Sequence, residues 1–68
     1  MHERLTNRLR EERARRNLTQ ADLATLVEVS RKTINTVENG VFIPSTVLAL
    51  RLARALDMSV EALFQLTD

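Results

Sequence analysis

Residues 19–40 read Thr-Gln-Ala-Asp-Leu-Ala-Thr-Leu-Val-Glu-Val-Ser-Arg-Lys-Thr-Ile-Asn-Thr-Val-Glu-Asn-Gly. Thr19 is a good N-cap, and Asp22 three residues on gives an acidic form of the capping box. The helix opened there is expected to run to about Val27 and to bury Leu23, Ala24 and one of Leu26 and Val27. Ser30 is the next N-cap. Ile34 and Val37, three residues apart, turn a second helix inward until Asn39-Gly40 stops it. Only Glu28 and Val29 separate the two helices, which leaves room for a tight turn and nothing longer.

The flanking chain carries the same period. Leu5 and Leu9 stand at i, i+4 among charged residues, which predicts a first helix near residues 4–16 burying one narrow stripe. Asn17, tolerant of left-handed backbone, would close it. Pro44 and Ser45 open a fourth helix with Val47, Leu48, Leu52, Ala53 and Leu56 as its core face. After a break at Asp57-Met58, Ser59 caps a last short helix carrying Val60, Leu63 and Phe64, with Glu61 well placed in its first turn. There is no strand pattern, linker or repeat. The expected fold class is therefore all-α, five short helices around one core, in a single domain over residues 1–68. So small a domain buries only about 60% of its unfolded surface, so pairing with a second copy would be a natural supplement to its stability.

Composition removes several classes of function. The chain has no cysteine, so it can form neither a disulfide framework nor a Cys-based zinc site, which suits a reducing cytoplasm. No apolar run approaches the roughly 20 residues that span a bilayer, and the first sixteen residues are too charged for a signal peptide. A cytoplasmic protein without a membrane partner is expected. The one histidine is His2 and the one glycine Gly40, so there is no nucleophile–base set and no Gly-rich phosphate loop. No catalytic residue, metal site, cofactor or small-molecule ligand is expected. Net charge is only +1, but residues 1–16 hold six Arg against three Glu, a local excess of +3. A basic face, rather than a basic total, is what a small nucleic-acid-binding domain needs.

The paired short helices have the layout of a helix-turn-helix. A helix fits the major groove of duplex DNA, where each base pair offers a distinct donor and acceptor pattern. Arg31, Lys32, Asn35 and Thr36 share one face near the start of the second helix of the pair. Arg can grip guanine bidentately, Asn can do the same for adenine, and Thr can bond or touch a thymine methyl. Gln20 sits at a helix N-terminus, where open N–H groups and the helix dipole attract phosphate.

Taken together, Leu18-Thr19-Gln20, Leu23-Ala24, Val29-Ser30, Ile34, Glu38-Asn39-Gly40 and Pro44-Ser45 resemble the Xre type of the phage Cro and repressor DNA-binding family. The likeness continues through Leu48, Leu52-Ala53, Leu56 and Ser59-Val60 to Leu63-Phe64. It implies five helices and an operator read by a homodimer. It implies base contacts from Arg31, Lys32, Asn35 and Thr36, and phosphate contacts from Gln20, Thr33 and Asn39. It also implies a structural ion pair between Arg13 and Glu38. Two positions depart from the pattern. Glu28 stands where the family often has Gly, so a positive φ there would strain the turn. Val41-Phe42-Ile43 stands where basic residues often meet the DNA backbone.

The expectation drawn from these residues is a transcriptional regulator, more often repressing than activating, bound as a homodimer to a palindromic operator. Val41–Ile43 would either fold back on the core or help build a dimer interface, for which Phe42, Phe64 and Leu66 are the candidate contacts. One alternative is a protein-interaction module of the same fold, such as an antitoxin. The other is the DNA-binding piece of a longer ligand-sensing regulator, against which we weigh Met1 and a fold completed by Leu66.

Overall fold

The helix ends are written in side chains that hydrogen-bond to backbone. In the computed structural model, which describes residues 3–67, Thr19, Ser30, Ser45 and Ser59 each accept a hydrogen bond from the N–H three residues on. They open α2 (Gln20–Val27), α3 (Arg31–Glu38), α4 (Thr46–Ala55) and α5 (Val60–Leu63). At Thr19 the box is reciprocal, because its own N–H donates to Asp22 Oδ2 at 2.9 Å. α1 (Leu9–Arg15) starts differently. Asn7 Oδ1 accepts from the Leu9 N–H at 3.0 Å, and Asn7 Nδ2 donates to the Val37 carbonyl at 2.9 Å, which ties the start of α1 to α3.

Four helices close in the same way. Asn17, Glu28, Gly40 and Asp57 take positive φ, of 58°, 61°, 72° and 54°. In each case the next residue's N–H reaches five residues back: Leu18 to Arg13, Val29 to Ala24, Val41 to Thr36 and Met58 to Ala53. These are Schellman closures, in which the residue after the left-handed one is commonly apolar and packs back on the helix. Leu18, Val29 and Met58 do pack on the core, whereas Val41 is 78% exposed.

Leu9, Leu23, Val27, Ile34, Val37, Leu48, Leu52, Leu56 and Leu63 form the centre of one core. All five helices contribute to it. Of the two residues expected at the end of α2, Val27 is the buried one. One helix-face expectation is corrected, since Val47 of α4 is 58% exposed.

The helical fold class holds, with one addition that the sequence did not suggest. Residues 4–7 are not the first turn of α1. They form strand β1 (Arg4–Asn7), antiparallel to β2 (Phe64–Thr67), with Leu5 opposite Leu66 and Asn7 opposite Phe64. Directly opposed residues share a face, so Leu5, Asn7 and Phe64 lie on the inner side of the ribbon, and Leu66 shares their face but is 65% exposed. Arg4, Thr6, Gln65 and Thr67 are exposed on the other side. Leu5 and Leu9 thus lie on different elements, and their helical spacing is coincidental. His2 lies outside the described residues.

Candidate nucleic-acid interface

α2 and α3 meet across Glu28, Val29 and Ser30, and the left-handed Glu28 makes the turn. Ile34 and Val37 are buried, which fixes the roll of α3 and leaves Arg31, Lys32, Asn35 and Asn39 exposed along its outer edge. Gln20, at the N-terminus of α2, lines an open polar cleft together with Arg31, Lys32 and Asn35. Four of the residues singled out in the sequence are thereby brought to one place. Thr33 and Thr36 are half-buried on the same helix. The Thr36 hydroxyl donates to the Thr33 carbonyl at 3.0 Å, and the Thr33 hydroxyl hydrogen-bonds that of Ser30 at 2.9 Å. Thr36 also borders a shallow cleft with Lys32, Val41 and Phe42.

One carboxylate organises the back of this edge. The Glu38 side chain is 0% exposed and lies at the end of α3. Arg13 of α1 donates to it from Nε at 2.6 Å and from Nη2 at 3.3 Å, and also donates from Nη1 to the Leu18 carbonyl at 2.8 Å. Gln20 Nε2 donates to Glu38 Oε1 at 3.1 Å, and Arg10 Nε to the same oxygen at 3.5 Å. Burial alone would push the Glu38 carboxyl up. The hydrogen bonds from Arg13, Gln20 and Arg10 and the charge of Arg13 outweigh it, holding the group below the usual carboxylate range.

Each arginine between residues 8 and 16 has a carboxylate within 4.0 Å. Glu12, 5% exposed, takes a hydrogen bond from Arg16 Nη1 at 2.8 Å and has Arg8 and Arg15 within 3.9 and 3.8 Å. The Arg16 hydrogen bond is the main reason the Glu12 carboxyl is lowered, against a smaller upward effect of burial. These pairs leave the basic excess of residues 1–16 in place, because it is counted after Glu3, Glu11 and Glu12. Among the described residues only Glu38, which takes Arg10 and Arg13, adds an anion from outside the segment. Arg31 and Lys32, by contrast, make no ion pair among the described residues. Arg10 is a member of the site that the sequence did not single out. Its spacing of three from Arg13 puts both on one face of α1, which is the signal that could have found it.

The three candidate dimer contacts fare differently. Phe42 is 47% exposed and Leu66 is 65% exposed, but Phe64 is buried within its own subunit.

With this geometry in place, residues 9–63 match the helix-turn-helix family, and the chain belongs to it. That makes it a DNA-binding regulator by class and not an enzyme. The chain is 36% identical over 64 residues to the uncharacterized HTH-type transcriptional regulator YgzD of Bacillus subtilis, covering 94% of this chain and 97% of that one. It is 41% identical over 64 residues to an uncharacterized HTH-type transcriptional regulator of Methanocaldococcus jannaschii, with the same coverage. Among solved structures it resembles the restriction-modification controller protein C.AhdI of Aeromonas hydrophila. There the identity is 40% and the TM-score 0.77, over 81% of this chain and 83% of the controller.

Proposed function

We propose that this protein regulates transcription by reading a palindromic operator as a homodimer, with α3 in the major groove, and that it represses by occupying the site. The observation that carries the reading is the outer edge of α3. It presents Arg31, Lys32 and Asn35 to solvent, without internal carboxylate partners for the two cations, next to the N-terminus of α2. In this reading Arg31, Lys32, Asn35 and Thr36 touch bases, while Gln20, Thr33 and Asn39 hold phosphates. Arg13 and Glu38 keep α1, α2 and α3 in register. A two-fold dimer would set the two copies of α3 about 34 Å apart, one turn of B-DNA, and so fit an inverted repeat. Its place of action is the cytoplasm, where such DNA is reached.

The surface best suited to pairing is an open apolar groove of about 850 Å³ between α4, α5 and the ribbon. Leu5, Ala49, Leu50, Met58, Val60 and the edge of Phe64 line it, and Arg54 and Glu61 stand in the same lining. A cation and an anion in one self-facing surface allow each Arg54 to meet the other copy's Glu61. The groove shares no residue with the cleft of Gln20 and α3, so pairing there leaves the reading edge open.

Selection of bound sequences from random duplex, followed by anisotropy titration, tests the reading. Arg31→Ala should weaken the selected site by about 1–3 kcal/mol and relax one base pair, whereas Gln20→Ala should weaken all sequences alike. Absence of any preference over random duplex overturns it.

A further inference from the structure

We infer that Arg10, on α1 and outside the helix-turn-helix, is a positioning residue for base readout: it sets which end of the Asn35 amide faces the DNA. The inference rests on the reading of α3 as the base-contacting helix and adds a residue to it that touches no base.

A chain of side-chain hydrogen bonds runs from α1 to the reading edge. Arg10 Nη2 donates to Asn39 Oδ1 at 2.7 Å, and Asn39 Nδ2 donates to Asn35 Oδ1 at 3.2 Å. Arg10 is held at its other nitrogen by the buried Glu38 carboxylate, Nε to Oε1 at 3.5 Å. The direction of the whole chain follows from its head. A guanidinium has donors only, so Asn39 must turn its oxygen toward Arg10. Its nitrogen then faces Asn35, one helical turn back on α3. A nitrogen that donates calls for an acceptor, so Asn35 must turn its oxygen toward Asn39. The Asn35 Nδ2 is left pointing away along the exposed edge.

An amide is close to symmetric in shape, and only its hydrogen-bond partners decide between its two orientations. Without the chain, Asn35 could offer either a donor or an acceptor to the groove at little cost. With it, Asn35 enters as a donor and favours a base with an acceptor in the major groove, such as a purine N7. Ordering of this kind by a supporting residue sharpens discrimination more than it adds affinity.

The trial uses the full chain and the duplex selected by the wild type, with each base pair varied in turn. Asn35→Ala identifies the base pair that Asn35 reads, as the one position whose discrimination is lost. Arg10→Met keeps the bulk of the stem and removes the donors. It should cut discrimination at that same base pair by about fivefold, what a single hydrogen bond supplies, and leave other positions in place. Arg10→Lys, which keeps a donor at the head, should restore it. Asn39→Ala breaks the middle of the chain and should match Arg10→Met at that base pair. If Arg10→Met weakens all duplexes evenly and keeps the wild-type preference there, Arg10 is a phosphate or scaffold residue and the inference falls, while the reading of α3 stands. If Asn35→Ala alters no position, the inference also falls, with Arg31 and Lys32 left as readers. If the wild type itself has no preference, both fall together.

Discussion

Glu28 and Glu38 carry opposite kinds of tension. Glu28 holds φ at 61° at the end of α2, with its backbone N–H engaged with the last turn. Left-handed backbone costs an L-residue roughly 1–2 kcal/mol, and an acidic side chain at a helix C-terminus meets the negative end of the dipole. Glycine removes both penalties at the cost of more chain entropy. Glu28→Gly should therefore raise stability by up to about 1 kcal/mol, seen as a higher urea midpoint with an unchanged slope. Glu38 is the reverse case, a buried charge satisfied on every side. Glu38→Gln leaves Arg13, whose side chain is 15% exposed, without its anion. The expected loss is about 3 kcal/mol.

The same residue fixes a pH dependence. Glu38, Glu12 and Asp22 all have carboxyls lowered in the folded state. For Asp22 the cause is the Thr19 backbone N–H and then its hydroxyl. Above the ordinary carboxylate range both folded and unfolded forms are ionised, and the full stabilisation is present. As pH falls, the unfolded chain takes up protons first, so stability declines until the pH has passed through the lowered folded values. Urea midpoints measured against pH should fall on acidification, and the fall should be shallower in Glu38→Gln.

At the scale of elements, the four Ser and Thr caps are legible because capping is a local rule read over four residues. The apolar faces follow for the same reason, and with them the helix count and the exposed edge of α3. What sequence does not reveal is pairing between distant segments. β1 and β2 have four residues each, too few for alternation to declare itself, and Leu5 falls by chance one helical turn from Leu9. The exposure of Val47 was equally hidden, because an apolar residue on α4 looks like core until something is known to leave it uncovered. Within the site, side chains whose partner lies on another helix were the ones missed, Arg10 above all. Asn7 illustrates the same limit, since it joins three elements from a position that looks like an ordinary polar residue in a helix. Asn7→Ala removes the acceptor for Leu9 N–H and the donor to the Val37 carbonyl. It should cost about 1–2 kcal/mol and lower the melting temperature by several degrees per kcal/mol, about 4–8 °C in a domain of this size.

For the whole molecule, the division of surfaces is the main result. Among the described residues the arginines around α1 have carboxylate partners and the two cations of α3 do not, while uncovered apolar side chains gather along residues 41–43, α4 and the ribbon. Sedimentation and salt titration address the two surfaces separately. Leu50→Glu places a charge in the apolar groove and should yield a monomer of unchanged helical content that binds a full operator far more weakly than the wild type. DNA affinity of either form should drop with salt, with a log–log slope near −0.9 for each phosphate neutralised. A slope near zero would count against a phosphate-bound interface.

The ribbon joins Arg4–Asn7 to Phe64–Thr67, so nearly the entire chain is the loop that it closes. Closing a long loop carries an entropic cost that neighbouring turns never meet, and contacts so remote in sequence form late. The chain's two ends should be the last part to assemble and the first to come apart, opening while the helices are still intact. Amide exchange makes this visible: protection at Thr6 and Gln65 should be lost in a smaller, separate opening than protection at Leu52 in the middle of α4.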